Sequence, residues 1–255
     1  MFKPGRFWNG RKYHLDKMNL RELVRAYFGY PAIQIYLALG TAAAVAAVVW
    51  EHSLLLLAVA AAAAVLLYPV VWYLLHRFVL HGSLLYKLPW TAALWKRIHF
   101  DHHRDPHDLR VLFGSLVNTL PTIVIVTLPL GWALAGRAGA ASALSAGLFT
   151  TCVYEFCHCI QHLAYEPRWS FLKRIKRLHL AHHFHNETGN FGITNFFWDR
   201  VFGTFYGHPR ERPRSATVFN LGYEETAAAR WPYVAQLTED WGKPRRPRRT
   251  GDAIA

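Results

Sequence analysis

Residues 53–81 read SLLLLAVAAAAAVLLYPVVWYLLHRFVLH, and this stretch decides the fold class. Its first 23 residues, Ser53 to Leu75, carry no charge. A helix of that length crosses about 30 Å of hydrocarbon. The run then ends abruptly on His76, Arg77 and His81, so an apolar span passes straight into a polar end rich in donor atoms.

The same organisation recurs on either side. Ile33 to Trp50 is 18 residues without a charge, and Ser115 to Ala135 is 21. Ala141 to Leu163 is a fourth candidate, apolar through Tyr154 and then carrying Glu155, His158 and His162. Polar groups at such depth are costly and serve function. Buried core helices of a soluble protein would seldom supply three such runs in so short a chain. The expectation is an all-α integral membrane protein with four transmembrane helices.

Basic residues set the orientation. Seven Lys or Arg precede the first span, 6 lie between the second and third, and 15 follow the fourth. The two remaining connections hold Arg137 alone. Because Lys and Arg stay on the cytoplasmic side, both termini and the central polar loop are expected there, under a cytoplasmic helical cap. Glu51 and His52, and the stretch 136–140, become tight turns on the far side. The first span, with no small-residue cleavage site behind it, does not read as a signal peptide. Three regions follow: 1–31 is a basic cytoplasmic segment whose part from Phe2 to Phe28 suits an interfacial helix. Residues 32–206 form the membrane domain, and 207–255 form a cytoplasmic segment whose Pro- and Arg-rich end, Lys243 to Thr250, reads as disordered.

Composition agrees. The 255 residues are 53% hydrophobic with only 3 Cys, which excludes a disordered tail protein and a disulfide-stapled module. A net charge of +13 calls for an anionic neighbour, and the apolar spans favour phospholipid headgroups over nucleic acid. Cys152, Cys157 and Cys159 have no paired metal or redox spacing and read as packing thiols.

The histidines carry the chemistry. Ten of the 15 fall in four clusters: His76 and His81 in HRFVLH, His99, His102 and His103 in HFDHH, His158 and His162 in HCIQH, and His179, His182 and His183 in HLAHH. Residues three or four apart share a helix face. His76 and His81 are five apart, about 140° on an ideal helix, so a distorted or ending helix is expected there. With the orientation above, all four clusters meet at the inner membrane surface. Ten imidazoles exceed what one ion can use, and two metal ions with about five nitrogens each is the economical count. Glu155, three residues before His158 on the same face, is placed to accept the far N–H of a ligand imidazole, and Asp101 is a weaker candidate for that role. The other five histidines (His14, His52, His107, His185 and His208) are expected at surface or supporting positions.

These motifs, in this order, resemble the membrane fatty acid hydroxylase and sterol desaturase superfamily, and within it the fatty acid 2-hydroxylase branch. The likeness runs from about Val70 to Tyr206 and continues through HHFHNETGNFGITNFFWDRVFGTF. It implies two iron ions held by the ten clustered histidines, with zinc able to replace iron in a structure. It also implies dioxygen as co-substrate, external electrons, and hydroxylation of a lipid acyl chain. Asn190 and Asn195 are possible supporting groups. The HPGG motif of the cytochrome b5 module often fused to such enzymes is absent from this sequence. A separate donor is therefore expected, a ferredoxin or cytochrome b5-like protein drawn to the basic face.

An acyl slot is expected among Trp72, Phe78, Phe100, Phe191, Gly192, Phe196, Phe197 and Trp198. The same metal site would equally serve a desaturase, or a hydroxylase of a sterol, carotenoid or lipid headgroup; a metal transporter is the distant alternative. Abundant Ala and Arg favour a bacterial inner membrane over the endoplasmic reticulum. Lipid substrate, position oxidised and oligomeric state are not encoded in these motifs.

Overall fold

A computed structural model describes residues 13–51, 53–114 and 116–242. Among them the regular structure is helical, with one isolated backbone bridge between His14 and Asp108.

Helix α1 spans Leu20–Phe28, α2 Pro31–Trp50 and α3 Leu54–Leu74. Each begins on a recognisable signal. Asn19 and Glu22 form a reciprocal capping box on α1, Pro31 opens α2, and the Ser53 hydroxyl caps α3. After the polar segment come α4 (Pro89–Trp95), α5 (Asp101–Arg104) and α6 (Leu109–Leu112). The long α7 runs Leu116–His162 but breaks at Ala135 (φ −152°) and Gly136 (φ 56°).

That break turns α7 into an antiparallel hairpin. A Cβ placed on Gly131 would stand 2.2 Å from the Gly139 carbonyl oxygen, and one on Gly139 would stand 2.3 Å from that of Gly131. Only glycine permits such backbone contact, the small-residue packing that membrane helices use in place of a hydrophobic drive. Ala60 and Ala64 of α3 pack on Ala143 of α7 in the same manner. Among the described residues three helical stretches are long and apolar enough to cross a membrane, and the third contains both later expected spans folded back on one another. Outward-facing Leu54, Leu66 and Ile125 are each more than 70% exposed, which suits helices that face lipid rather than water.

The two turns share one end of the bundle: the Arg137 guanidinium lies 5.3 Å from the Trp50 ring centroid. The opposite end carries a helical cap completed by α8 (Ser170–Phe184), α9 (Phe197–Val201), α10 (Glu225–Arg230) and α11 (Tyr233–Gln236). Here α1 is docked, not loose. Its Leu23, Ala26 and Tyr27 are buried, and the Tyr27 hydroxyl donates to the Cys152 carbonyl at 2.5 Å. The segment after residue 207 is likewise folded as far as Gly242. Tyr223 and Val234 form a core with Trp95 and Phe100. Of the expected interfacial helix, residues 2–12 lie outside the described part, as does the basic tail from Lys243.

Candidate metal centre

The histidine-bearing turns depart from the ideal helix where the spacing requires it. Leu75–Leu80 is π-helical, and the His81 N–H donates to the His76 carbonyl at 3.0 Å. This wider turn places residues five apart on one face, as the HRFVLH spacing predicts, and the two Nε2 atoms stand 3.2 Å apart. Lys96–Phe100 is π-helical as well and leads His99 into α5, which carries His102 and His103. His158 and His162 close α7, and His179, His182 and His183 line one face of α8.

All ten imidazoles converge. Ligand atoms of His102, His158, His162, His179 and His183 lie within 4.8 Å of one another, and so do those of His76, His81, His99 and His103. The ligand atoms of His182 lie within 4.8 Å of those of His103 and His183, one from each set, and its ring stands 4.8 Å from that of His81. The sets adjoin where the His103 and His183 rings approach to 4.2 Å.

The donor set suits metal ions. His102 and His158 face each other Nε2 to Nε2 at 3.1 Å, and His162 and His179 at 2.9 Å. Two nitrogens bound side by side to one ion at about 2.1 Å each stand roughly 3 Å apart. Nε2 of His99, of His103 and of His182 is buried without a hydrogen-bond partner, a costly state that a bound cation relieves. Nδ1 of His76, His103 and His182 donates to the carbonyls of Phe191 (2.6 Å), Val218 (2.9 Å) and Gly189 (2.8 Å). These bonds leave each Nε2 with its free electron pair. Burial holds the His103 imidazole down at about 3. Burial first, and then neighbouring imidazoles, push His99, His102, His179 and His183 well below their ordinary range. The rings are thereby neutral, the form in which imidazole binds metal.

Beside the centre lies a cavity of about 250 Å³. His76, His99, His102, His158, His179 and His183 form its floor, and its walls are mainly apolar, including Trp72, Leu75, Leu112 and Tyr154. Gly114, Asn118, Thr119 and Glu155 add a small polar corner. Of the slot residues expected from sequence only Trp72 lines this cavity. Phe78 is exposed beneath Arg77, Phe100 belongs to the core around Trp95, Phe196 packs on Ile175 and Leu178, and Phe197 faces outward. Phe191 instead packs edge-on against His76, His81 and His182, and Gly192 and Trp198 also stand away from the cavity.

The supporting residues divide. Asp101 does not serve an imidazole; both its oxygens accept from Lys96 Nζ at 2.7 Å, because that ammonium lies one π turn earlier. Glu155 accepts from the Gly114 N–H at 3.4 Å, and its second oxygen is buried without a partner. Asn190 sits at φ 56°, donates to the Tyr206 carbonyl at 2.9 Å and accepts from the Tyr206 N–H at 3.0 Å, which anchors the loop beside Gly189. Asn195 accepts from the Phe197 N–H at 3.3 Å. His107 donates toward the His162 carbonyl at 3.0 Å, and His185 toward that of Arg212 at 2.8 Å. Both stand outside the two sets. Asp199 and Glu187 escape sequence reading; the only hint is that both carboxylates follow the last cluster, Glu187 by four residues and Asp199 by sixteen.

The family model for fatty acid hydroxylase matches residues 61–204. The chain belongs to the fatty acid hydroxylase family. This hydroxylase-family chain is 37% identical over 142 residues to the ceramide very long chain fatty acid hydroxylase of Saccharomyces cerevisiae, covering 53% of this chain and 35% of that protein. It is 36% identical over 137 residues to the dihydroceramide fatty acyl 2-hydroxylase FAH2 of Arabidopsis thaliana, covering 53% of this chain and 55% of that one. The fatty acid 2-hydroxylase of Macaca fascicularis is 30% identical over 139 residues, covering 54% and 37%. The chain thus spans between 35% and 55% of the length of these relatives. A solved structure of full-length scs7p, with only the hydroxylase domain visible, aligns at a TM-score of 0.56 and 27% identity over 79% of this chain and 71% of that one. These relatives come from yeast, Arabidopsis and macaque. They lend no support to a bacterial inner membrane.

Proposed function

We propose that this chain is a membrane-embedded, dioxygen-dependent hydroxylase of lipid acyl chains, with the ten clustered histidines holding two iron ions. The observation that carries this reading is the placement of six of the ten clustered imidazoles as the floor of a mainly apolar cavity. His102, His158, His162, His179 and His183 form one ligand set, and His76, His81, His99, His103 and His182 the other. The relatives named as ceramide and fatty acyl hydroxylases support an acyl chain as the substrate.

In this reading the α7 hairpin supplies two spans, giving four in all, with the cap, the centre and both ends of the chain on the cytoplasmic face. Residues 32–206 are the catalytic membrane domain, flanked by cytoplasmic segments 1–31 and 207–255. The bound ions supply the oxidising power that an unactivated C–H bond requires. The chain supplies the rest. The hydrocarbon walls around Trp72 and Leu112 take up the acyl chain and exclude water, so that the reacting carbon is held over the imidazole floor. Glu155 and Asn118, each with a buried polar atom that has no partner, offer hydrogen bonds to the polar end of the acyl group. Asn190 steadies the Gly189 carbonyl that orients His182. Electrons come from an acidic carrier, ferredoxin or cytochrome b5-like, at the basic cytoplasmic surface.

Lipid mass spectrometry of cells with and without the protein tests this. A lipid class that gains one oxygen atom on its acyl chain only when the protein is present is the expected result. No oxygenated product in any class, or a new double bond in place of a hydroxyl, would overturn it.

A further inference from the structure

Two carboxylates outside the histidine clusters are buried and spend their hydrogen bonds on the loops that orient the ligands. Asp199 is fully buried. One of its oxygens accepts from the Phe191 N–H at 2.8 Å and the Thr204 hydroxyl at 2.7 Å, and the other accepts from the Gly192 N–H at 2.8 Å. It thereby grips both sides of the peptide link between Phe191 and Gly192, whose carbonyl oxygen receives His76 Nδ1 at 2.6 Å. Behind it, the Thr204 hydroxyl meets the Tyr73 hydroxyl at 2.9 Å, and Arg77 donates to Tyr73. The grip is therefore tied to the same helix end that carries His76.

Glu187 repeats the arrangement on a different loop. It is 4% exposed, and one of its oxygens accepts from the Ser215 hydroxyl at 2.9 Å and the Thr217 hydroxyl at 2.5 Å. The next residue, Val218, presents the carbonyl that receives His103 Nδ1 at 2.9 Å. His76 and His103 belong to one and the same ligand set. A backbone carbonyl orients an imidazole only as well as the loop is held, and a charged acceptor with two or three donors holds a loop more firmly than a neutral one.

We infer that Asp199 and Glu187 are positioning residues for one of the two metal positions, each locking a loop carbonyl onto the Nδ1–H of a ligand imidazole so that Nε2 faces the ion. This rests on the two-metal reading above. Removing the direct partner of a ligand imidazole weakens metal binding by about 10- to 100-fold; Asp199 and Glu187 act one bond further out, through the loop carbonyl, and their loss is expected to weaken it by up to about 10-fold. In Asp199→Asn the amide NH₂ meets one of the two backbone N–H groups, so one hydrogen bond is lost and two donors oppose each other.

The test is zinc(II) titrated into the full metal-stripped chain in detergent, in competition with a chromophoric chelator. Cobalt(II) absorption spectra report the geometry. Wild type is expected to bind two ions. Asp199→Asn and Glu187→Gln are each expected to weaken one ion by roughly 3- to 10-fold, below the loss for removing a direct partner, leaving the other within about twofold. The double variant is expected to weaken that same ion only and to change one set of cobalt bands. Thr204→Val removes a single donor to Asp199 and gives a smaller shift of the same ion; it decides the matter if Asp199→Asn does not fold. Asp240→Asn, which removes an exposed carboxylate paired with Arg104 at 2.8 Å and touching neither loop, is the control. Fewer than two ions on wild type would overturn the two-metal reading itself. Two ions on wild type with equal weakening of both in the variants, or with no change, would overturn the positioning role alone.

Discussion

His162 and His179 face each other Nε2 to Nε2 at 2.9 Å, one at the end of α7 and the other in the middle of α8. Two bare nitrogen lone pairs at that distance repel unless a proton or a cation lies between them, and three further imidazoles surround the pair. The centre, assembled from separate helices, is therefore suited to holding cations. Loss of any ligand should be felt in metal content before it is felt in the fold.

His158→Ala and His182→Ala, one from each ligand set, are each expected to abolish hydroxylation and to lower the metal content of the purified protein from two ions toward one. His14→Ala should do neither, because His14 touches Asp16 and the backbone bridge to Asp108 and no ligand. Elemental analysis of the three variants beside wild type, together with lipid mass spectrometry, checks this. Equal losses at all three sites would contradict the assignment.

Trp72→Ala opens one wall of the cavity, where the indole stacks on Tyr154 with ring centroids 5.7 Å apart. An acyl chain held less closely reacts more slowly, by on the order of tenfold to a hundredfold for a displacement of about 1 Å. Product yield across acyl chains of increasing length should fall and its length preference broaden, while both metal ions remain. A parallel loss of metal would place Trp72 in the centre's support, not in the slot.

Asp108 supplies a pH-dependent tie at the cap. Burial pushes its carboxyl up, but hydrogen bonds from Arg110 outweigh that and hold it below its ordinary value of 3.8. A carboxyl lowered by folding adds stability that is complete above the unfolded-state value and is lost as pH falls through the lower folded-state value. Asp108→Asn is expected to melt at a lower temperature than wild type at pH 7, with the gap narrowing below about pH 4. A gap independent of pH over that range would show that the charge contributes nothing.

Gly139→Leu drives a side chain into the Gly131 backbone, where even a Cβ would stand 2.3 Å from the carbonyl oxygen. Overpacking of this kind costs about 1–3 kcal/mol or more. Thermal unfolding in detergent should show a lower midpoint for Gly139→Leu, whereas Gly203→Leu, at a position with open space, should pay only for its positive φ. An unchanged midpoint for Gly139→Leu would argue against the hairpin.

Several features were legible in the chain because they depend on spacing alone. The uncharged lengths around Ser53–Leu75 dictate apolar helices. The three- and four-residue steps in HCIQH and HLAHH put imidazoles on shared faces, and the five-residue step in HRFVLH calls for a distorted or ending helix, which the structure resolves as the wider turn at Leu75–Leu80. Other features were not legible, because spacing carries no direction in space. Asp101 lies among ligands in sequence yet turns to Lys96. Phe78 and Phe197 read as slot aromatics yet point outward, while Thr119 and Asn118, which carry no motif, reach the cavity.

By itself, the order of residues determined that apolar helices would form and that ten histidines would gather at their polar ends, since local periodicity and hydrophobic length act without reference to distant partners. Tertiary packing decided how those imidazoles divide into two sets and which loop carbonyls fix their tautomers. Each of these depends on contacts between segments tens of residues apart, and such contacts exist only once the chain has closed around its core.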